Sequence, residues 1–293
     1  MAAAAHRRGP AVAASGAFVV ALTAALTAAA LSPQIPPPPP TGADPITTGV
    51  SAGRPYALVA MTTSPLPVAG HELTLRLRLV DGATGRPVDD LVAHHGALAH
   101  TVVTSSDGGF FAHLHPVRSA PGELMVRLRP DRPGRYLVHA EFERTGSGAQ
   151  LGSGEFTVQG DAVAPAGSGG EVADVRTPAR LVAGRAGTVE VHTAADDLQP
   201  WLGMAGHLVV RDGSGRFFAH VHELGSMAAQ DTPGAAGAVA PDETVAHHGP
   251  VLRFTFTFPA PGRYLAWVQY ARDFEIHTVP LVLDVAGAAE GRP

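Results

Sequence analysis

Apolar and polar residues alternate with a period of two in several segments of the chain. The clearest are "HELTLRLRLV" (residues 71–80), "ELMVRLR" (123–129) and "LRFTFTF" (252–258). This period predicts half-buried β-strands, because successive side chains of a strand point to opposite faces of a sheet. After residue 45 the sequence has no sustained helical period. The pattern therefore predicts an all-β fold.

Two parts of the chain repeat the same pattern. A shift of 107 residues places "AHTVVTSSDGGFFAHLHP" (99–116) on "GHLVVRDGSGRFFAHVHE" (206–223). The segment "PGRYL" (133–137) recurs 128 residues later (261–265), so the second copy holds about 21 additional residues (128 − 107), which we assign to 227–248. Several short strands per copy, separated by Gly and Pro turns, predict two tandem antiparallel β-sandwich domains of the immunoglobulin or cupredoxin type.

The N-terminus predicts export. Arg7 and Arg8 precede an uncharged apolar run over residues 11–32, which is typical of a signal peptide and is also long enough to span a bilayer as a helix. Cleavage and retention as a membrane anchor both stay open, so the expected location is extracellular or in the cell envelope. The predicted organisation is 1–32 signal peptide or membrane anchor, 33–52 proline-rich linker, 53–160 first repeat, 161–174 linker, 175–287 second repeat and 288–293 tail.

Composition removes several classes of function. The chain has no cysteine, which excludes disulfides, thiolate catalysis and zinc fingers. Its 21 basic residues against 26 acidic ones give a net charge of −5, and no basic stripe is present, so a nucleic-acid partner is not expected. The sequence also lacks a serine-hydrolase motif, a phosphate loop and a dinucleotide fingerprint, and no catalytic residue or organic cofactor is predicted.

Histidines cluster in the repeated segment. In the first copy, a two-residue turn at Asp107-Gly108 would pair positions whose numbers sum to 215, and His100 would then lie opposite His115. His113 is two residues from His115 and shares its face of the strand. Opposed and diagonal Cβ atoms on such a hairpin are ~4.5–8 Å apart, close enough to share an ion.

The second copy repeats the arrangement around Ser214-Gly215. Each repeat is therefore predicted to hold one three-histidine metal site. The predicted ligands are His100, His113 and His115 in the first repeat and His207, His220 and His222 in the second.

Neutral imidazoles favour zinc or copper, whereas calcium and magnesium prefer oxygen ligands. The expected function is an exported or membrane-anchored metal-binding protein that acts as a copper or zinc buffer, chaperone or sensor. Two alternatives stay open. The chain is a structural or adhesion module whose histidines form a polar or pH-sensing patch, or it is a metal-dependent enzyme with Glu223 or Asp107 as general base.

The segments "FFAHLHP" and "FFAHVH", each followed by a "PGRY" strand, resemble a group of exported bacterial histidine-rich β-sandwich proteins. Proteins of this group are labelled as associated with heavy metals. The resemblance implies immunoglobulin- or cupredoxin-like sandwiches, an exported location and a metal ligand, and it assigns no reaction. One departure from the pattern is Glu223, which stands where the first copy has Pro116.

Overall fold

A computed structural model describes residues 55–164 except 95, residues 173–226 except 179, and residues 248–288. The predicted signal peptide or anchor and the proline-rich linker lie outside the described residues, as do residues 227–247 of the predicted insertion. In the described parts of the chain, no helix has the length and apolar character needed to cross a membrane.

Strands make up nearly all of the regular structure that is described. The first repeat contains β1 (Ala57–Thr63), β2 (Leu73–Asp81), β3 (Leu91–Val92), β4 (Ala99–Ser105), β5 (Phe111–Leu114), β6 (Val117–Ala120), β7 (Glu123–Leu128), β8 (Gly134–Arg144) and β9 (Gly148–Val158). The second contains β10 (Asp174–Arg176), β11 (Leu181–Val182), β12 (Ala186–His192), β13 (His207–Asp212), β14 (Phe218–His222), β15 (Val251–Thr257), β16 (Gly262–Arg272) and β17 (Glu275–Ala286).

Each repeat is built from two sheets. In the first repeat, one sheet has the order β1-β2-β7-β6, and β8 is central to the other. One edge of β8 pairs with β9, and the opposite edge pairs with β4 and the short β3, with β5 beyond β4. In the second repeat the sheets are β10-β12-β15 and β11-β17-β16-β13-β14. All pairings are antiparallel except the two-residue pairing of β11 with β17.

Apolar side chains at alternate positions fill each sandwich. In the first repeat, Leu73 and Leu75 of β2 pack with Val103 of β4 and Val138 of β8. These side chains come from both sheets, so the first repeat buries its own core between two layers. The second repeat does the same with a larger cluster. The prediction of two tandem β-sandwiches is confirmed.

The outer faces of β4 and β13 are buried as well. All seven residues of β4 are buried, although alternate side chains point away from the sandwich core. The reason is that the two repeats, which belong to one compact unit, pack together. Across the contact, Phe111 stacks on Trp267 with ring centroids 4.9 Å apart, and His139 stacks on Phe218 at 4.5 Å. This layer of the structure positions the histidines.

The hairpin loops keep the predicted register. In the first repeat the backbone N–H of Ser105 donates to Phe110 O, so residues 106–109 form a four-residue loop and the predicted two-residue turn is wrong. Four is also an even number, so the parity of the pairing is unchanged. Val102 pairs with His113 as expected from the sum of 215.

The second hairpin has the same form. His207 pairs directly with His222, as predicted, and Asp212 N donates to Phe217 O at the end of the ladder. Gly215 in this loop has a φ of 74°, and a methyl group added there would collide with Leu137 of the other repeat. Gly108, with a φ of 79°, faces Leu265 in the same way. These positions require glycine for both backbone conformation and space.

Candidate metal centre

The six predicted histidines meet at the contact between the repeats. They project from β4 and β13 and from the strands or strand ends paired with them, on the faces that point away from the sandwich cores. Ring centroids of His113 and His220, from different repeats, are 5.0 Å apart, and those of His100 and His220 are 5.2 Å apart. The histidines of the two predicted sites, one in each repeat, therefore lie together in one cluster.

In the first repeat, His100 and His113 are held by hydrogen bonds on the far sides of their rings. Nε2–H of His100 donates to the backbone oxygen of His94 at 3.0 Å. Nδ1–H of His113 donates to Oε1 of Gln269, across the repeat contact, at 3.1 Å. The remaining ring nitrogens, Nδ1 of His100 and Nε2 of His113, are 3.1 Å from each other.

The second repeat has the same geometry. Nε2–H of His207 donates to the backbone oxygen of Trp201 at 3.1 Å. Nδ1–H of His220 donates to a carboxylate oxygen of Glu141, in the first repeat, at 3.2 Å. Nδ1 of His207 and Nε2 of His220 are 3.0 Å apart.

These bonds fix where the lone pairs of the rings point. A neutral imidazole has one N–H and one lone pair. Because carbonyl and carboxylate oxygens accept hydrogen bonds, the outer nitrogens of these four histidines carry the hydrogens. The inner nitrogens then present lone pairs to each other at 3.0–3.1 Å. Two facing lone pairs need a cation between them, and two nitrogen ligands of a tetrahedral Zn²⁺ are about 3.3 Å apart when each Zn–N distance is ~2.05 Å.

The other two histidines lie beside these pairs. The His115 ring centroid is 5.1 Å from that of His100 and 5.0 Å from that of His113. His222 lies 5.1 Å from His207 and 4.8 Å from His220. Nε2 of His115 is buried and has no hydrogen-bond partner among the residues that the structure describes. A buried ring nitrogen of this kind is available to a ligand.

Two groups of three histidines have their ligand atoms within 4.8 Å of one another. One is His207, His220 and His222, the set predicted for the second repeat. The other is His100, His113 and His220, so in this group His220 takes the place that the sequence assigned to His115. The group of His100, His113 and His220, called the first group below, therefore crosses the contact between the repeats, and the second group is His207, His220 and His222.

Burial keeps the imidazoles of the first repeat neutral. It is the largest cause of a lowered pKa at His100 and His113, and the neighbouring histidines lower the His113 pKa further. Burial also lowers the pKa of His115 to about 4. Neutral imidazole is the form that binds a metal ion.

Glu141 and Gln269 hold histidines of this cluster and were missed by the sequence reasoning. Burial raises the carboxyl pKa of Glu141, but the hydrogen bond from His220 and the neighbouring imidazoles of His220, His100 and His94 together outweigh burial and lower the pKa overall. Glu141 pairs with His100 across β8 and β4, and the matching position of the second repeat is Gln269. A polar residue at the same place in both copies, "HAEF" (139–142) and "WVQY" (267–270), was the available signal.

The two carboxylates proposed as a general base bind their own loops. Glu223 accepts hydrogen bonds from the backbone N–H and the hydroxyl of Ser226, and Asp107 accepts from Ser105 and the backbone N–H of Gly109.

Trp201 lies against the histidine cluster, with its ring 4.8 Å from that of His207. An aromatic wall of this kind limits access of water to the imidazoles.

Comparisons with known proteins identify a family and no activity. No curated protein matches the chain. A tetra-tandem repeat from the extending region of a large adhesion protein matches at 12% identity, covering 79% of this chain and 50% of that chain, with a TM-score of 0.27. A two-domain fibronectin type III segment of chicken tenascin matches at 13% identity over 79% of this chain and 99% of its own, with a TM-score of 0.22.

The chain spans half the length of that adhesion-protein chain, and likenesses at these TM-scores say nothing about function. The sequence profile of one family, DUF8832 (domain of unknown function), matches twice, over residues 57–160 and residues 170–287. Together these matches cover most of the chain. The chain therefore belongs to the DUF8832 family, with one copy of the domain in each repeat.

Proposed function

We propose that this protein binds copper or zinc at the histidine cluster between its two repeats. The observation that carries the proposal is the pairing of lone pairs described above. In each repeat, two inner imidazole nitrogens face each other at 3.0–3.1 Å while their outer N–H groups bind protein oxygens. Hydrogen bonds from the outer nitrogen to a carbonyl or carboxylate are the usual support of metal-binding histidines, because they fix the ring and its tautomer.

The donor set supports the choice of metal. Both groups of convergent ligands found among the described residues consist of imidazoles, and the chain has no cysteine. Imidazole suits Zn²⁺ and Cu²⁺, whereas Mg²⁺ and Ca²⁺ need several oxygen ligands. The carboxylate of Glu141 hydrogen-bonds to His220 and so contributes negative charge close to a bound cation. Buffering, delivery and sensing of the metal are all compatible with such a site.

A structural or adhesion module is the competing function. Its support is that the imidazoles also pack as interface residues, with His207 and His220 stacked at 5.2 Å and 24°. In that role a hydrogen rather than a metal ion would lie between the paired nitrogens of each repeat.

Metal binding is tested on the full chain purified without a histidine tag. Elemental mass spectrometry of the purified protein and calorimetric titration of the metal-free protein with Zn²⁺ or Cu²⁺ give the content and the affinity. We expect bound metal, and we expect replacement of His113 and His220 together by Ala to abolish it. His71→Ala is the matched control, because His71 is an exposed histidine in the loop before β2.

If the histidines have only a structural role, the protein should bind neither metal ion. A wild-type protein that takes up neither ion at micromolar concentrations, while folded by circular dichroism, would overturn the metal proposal. Binding that survives in the His113 and His220 double variant but is lost with His71→Ala would overturn the assignment of the site.

Export is part of the proposal and rests on the sequence alone. Arg7 and Arg8 followed by the apolar run 11–32 support delivery to the cell envelope or the exterior. N-terminal sequencing of the protein recovered from a bacterial host distinguishes the two forms. A soluble product that begins between residues 29 and 36 indicates a cleaved signal peptide, and an intact N-terminus in the membrane fraction indicates an anchor. An intact product in the cytosolic fraction would contradict export.

A further inference from the structure

We propose that the cluster is a single-ion centre, in which the two histidine groups are alternative positions for one ion that always uses His220. The inference rests on the proposed metal-binding function and goes beyond it, because the repeated sequence by itself predicts two ions per chain. Its basis is that His220 belongs to both groups of convergent ligands.

His220 can offer one nitrogen to a metal ion. Its Nδ1 lies 3.2 Å from the carboxylate of Glu141 and donates its hydrogen there. Only Nε2 remains, and that nitrogen has one lone pair. A bridging imidazolate, which binds one ion on each nitrogen, would require the Glu141 hydrogen bond to be broken. One lone pair binds one ion.

Without His220, neither group keeps three convergent ligands. The first group would retain His100 and His113, and the second would retain His207 and His222, and His115 belongs to neither convergent group. Two imidazoles are fewer than the three protein ligands of an open zinc site or the four of a closed one. An ion held at one position with His220 therefore leaves the other position incomplete, and a second ion has no full site among the described residues.

The two positions are close to each other. The ring centroids of His100 and His207, one from each group, are each 5.2 Å from that of His220. Both are buried, with exposed fractions of 3% and 0%. An ion can thus exchange His100 and His113 for His207 and His222 while Nε2 of His220 stays bound. Such a ligand exchange changes no oxidation state and transfers no proton.

The stoichiometry of the wild-type protein is the first test and needs no variant. The metal-free full chain is titrated with Zn²⁺ alone, and the number of ions per chain is read from calorimetry and from elemental analysis after desalting. We expect one ion per chain. Two tightly bound ions would overturn the single-ion centre and leave the proposed function standing, whereas no bound ion would overturn the proposed function itself.

Three variants test the alternative positions. His100→Ala removes a ligand of the first group and His222→Ala one of the second, so each single variant should still bind one Zn²⁺ at the intact position. The double variant should lose tight binding, as should His220→Ala alone. The absorption of bound Co²⁺, which reports its coordination geometry, should differ between the two single variants.

Other outcomes contradict the inference. If His220→Ala retained one ion, the shared ligand would be wrong. If either single variant lost all binding while folded, the two groups would not be alternatives. Circular dichroism and thermal melting establish that each variant is folded, and the wild-type stoichiometry still decides between one ion and two if a variant is not.

Discussion

His113 and His220 occupy matching positions in the two repeats, yet each hydrogen-bonds to a different kind of side chain. His113 donates to the neutral amide of Gln269, and His220 donates to the carboxylate of Glu141. The geometry is nearly the same, with nitrogen-to-oxygen distances of 3.1 and 3.2 Å. The comparison shows that the repeats keep the groups that orient the rings and differ in where the negative charge lies.

The same contrast extends into the apolar part of the contact. Trp267 of the second repeat stacks on Phe111, and His139, at the matching position of the first repeat, stacks on Phe218. Arg211 of the second repeat is fully buried, and its guanidinium donates to the backbone oxygens of Ser105 and Ser106. The second repeat therefore contributes the larger side chains to a contact that is otherwise symmetric.

The largest expected effect comes from removing the larger aromatic ring. Trp267→Ala should lower the free energy of unfolding by ~3–5 kcal/mol, because it opens a cavity between the repeats. His139→Ala should cost less, since the ring that it removes is smaller. Denaturant unfolding of both variants measures the difference. Equal losses would show that the aromatic stacking does not distinguish the two halves.

Moving the negative charge tests the halves of the metal centre directly. Glu141→Gln keeps an acceptor for His220 but removes the charge, and it should weaken Zn²⁺ binding about 10-fold, the lower end of the 10–100-fold range for such supporting residues. Gln269→Glu should not weaken binding. The double exchange should restore affinity by placing the carboxylate beside His113. Calorimetric titration would contradict this account if the double variant bound no better than Glu141→Gln.

Acid should destabilise the metal-free protein through the first repeat's histidines. Burial lowers the pKa of His100, His113 and His115, in the last case from 6.5 to about 4. The unfolded chain therefore binds protons first, so stability is full above pH 6.5 and falls as the pH decreases towards 4. Thermal melting between pH 7.5 and 4.5 measures this fall, and His115→Ala should reduce its steepness. A melting temperature that stays constant over this range would contradict the burial of neutral imidazoles.

The smallest effect is expected where the repeats are alike. Tyr136 and Tyr264 each donate a hydrogen bond of 2.8 Å to a backbone oxygen four residues upstream, that of Arg132 or Ala260. This is the tyrosine corner of immunoglobulin-like sandwiches. Tyr136→Phe and Tyr264→Phe should each cost ~1 kcal/mol of unfolding free energy, the net value of one hydrogen bond. Markedly unequal losses would show that the two sandwiches are not equivalent at this corner.

Local pattern was enough to predict the strands and the hairpin register. The sum of 215 placed His113 opposite Val102, and the pairing of His207 with His222 follows the same rule. The predicted loop length was wrong, but the predicted register was not affected. Side chains alternate with period two, so a loop with an even number of residues keeps each side chain on the predicted face of the sheet. Both predictions depend only on neighbours within one hairpin.

The contact between the repeats could not be predicted in this way. It depends on which outer sheet faces meet, and the sequence separation between His113 and Gln269 is 156 residues. The buried outer face of β4, with histidine and valine at alternate positions, is where a second buried surface could have been suspected. The sequence of β4 does not reveal which strand packs against its outer face. The position of Glu141 beside His220 was therefore seen only in the fold.

X-ray absorption spectroscopy of the zinc-loaded full chain identifies the atoms bound to the ion. We expect at least three imidazole nitrogens at ~2.0–2.1 Å from zinc, with the multiple-scattering features of histidine rings and no sulfur. The same spectrum of the His220→Ala protein should lose this signature. A first shell made mainly of oxygen in the wild-type protein, or a histidine signature that is unchanged in the variant, would contradict a metal centre built from the imidazoles between the repeats.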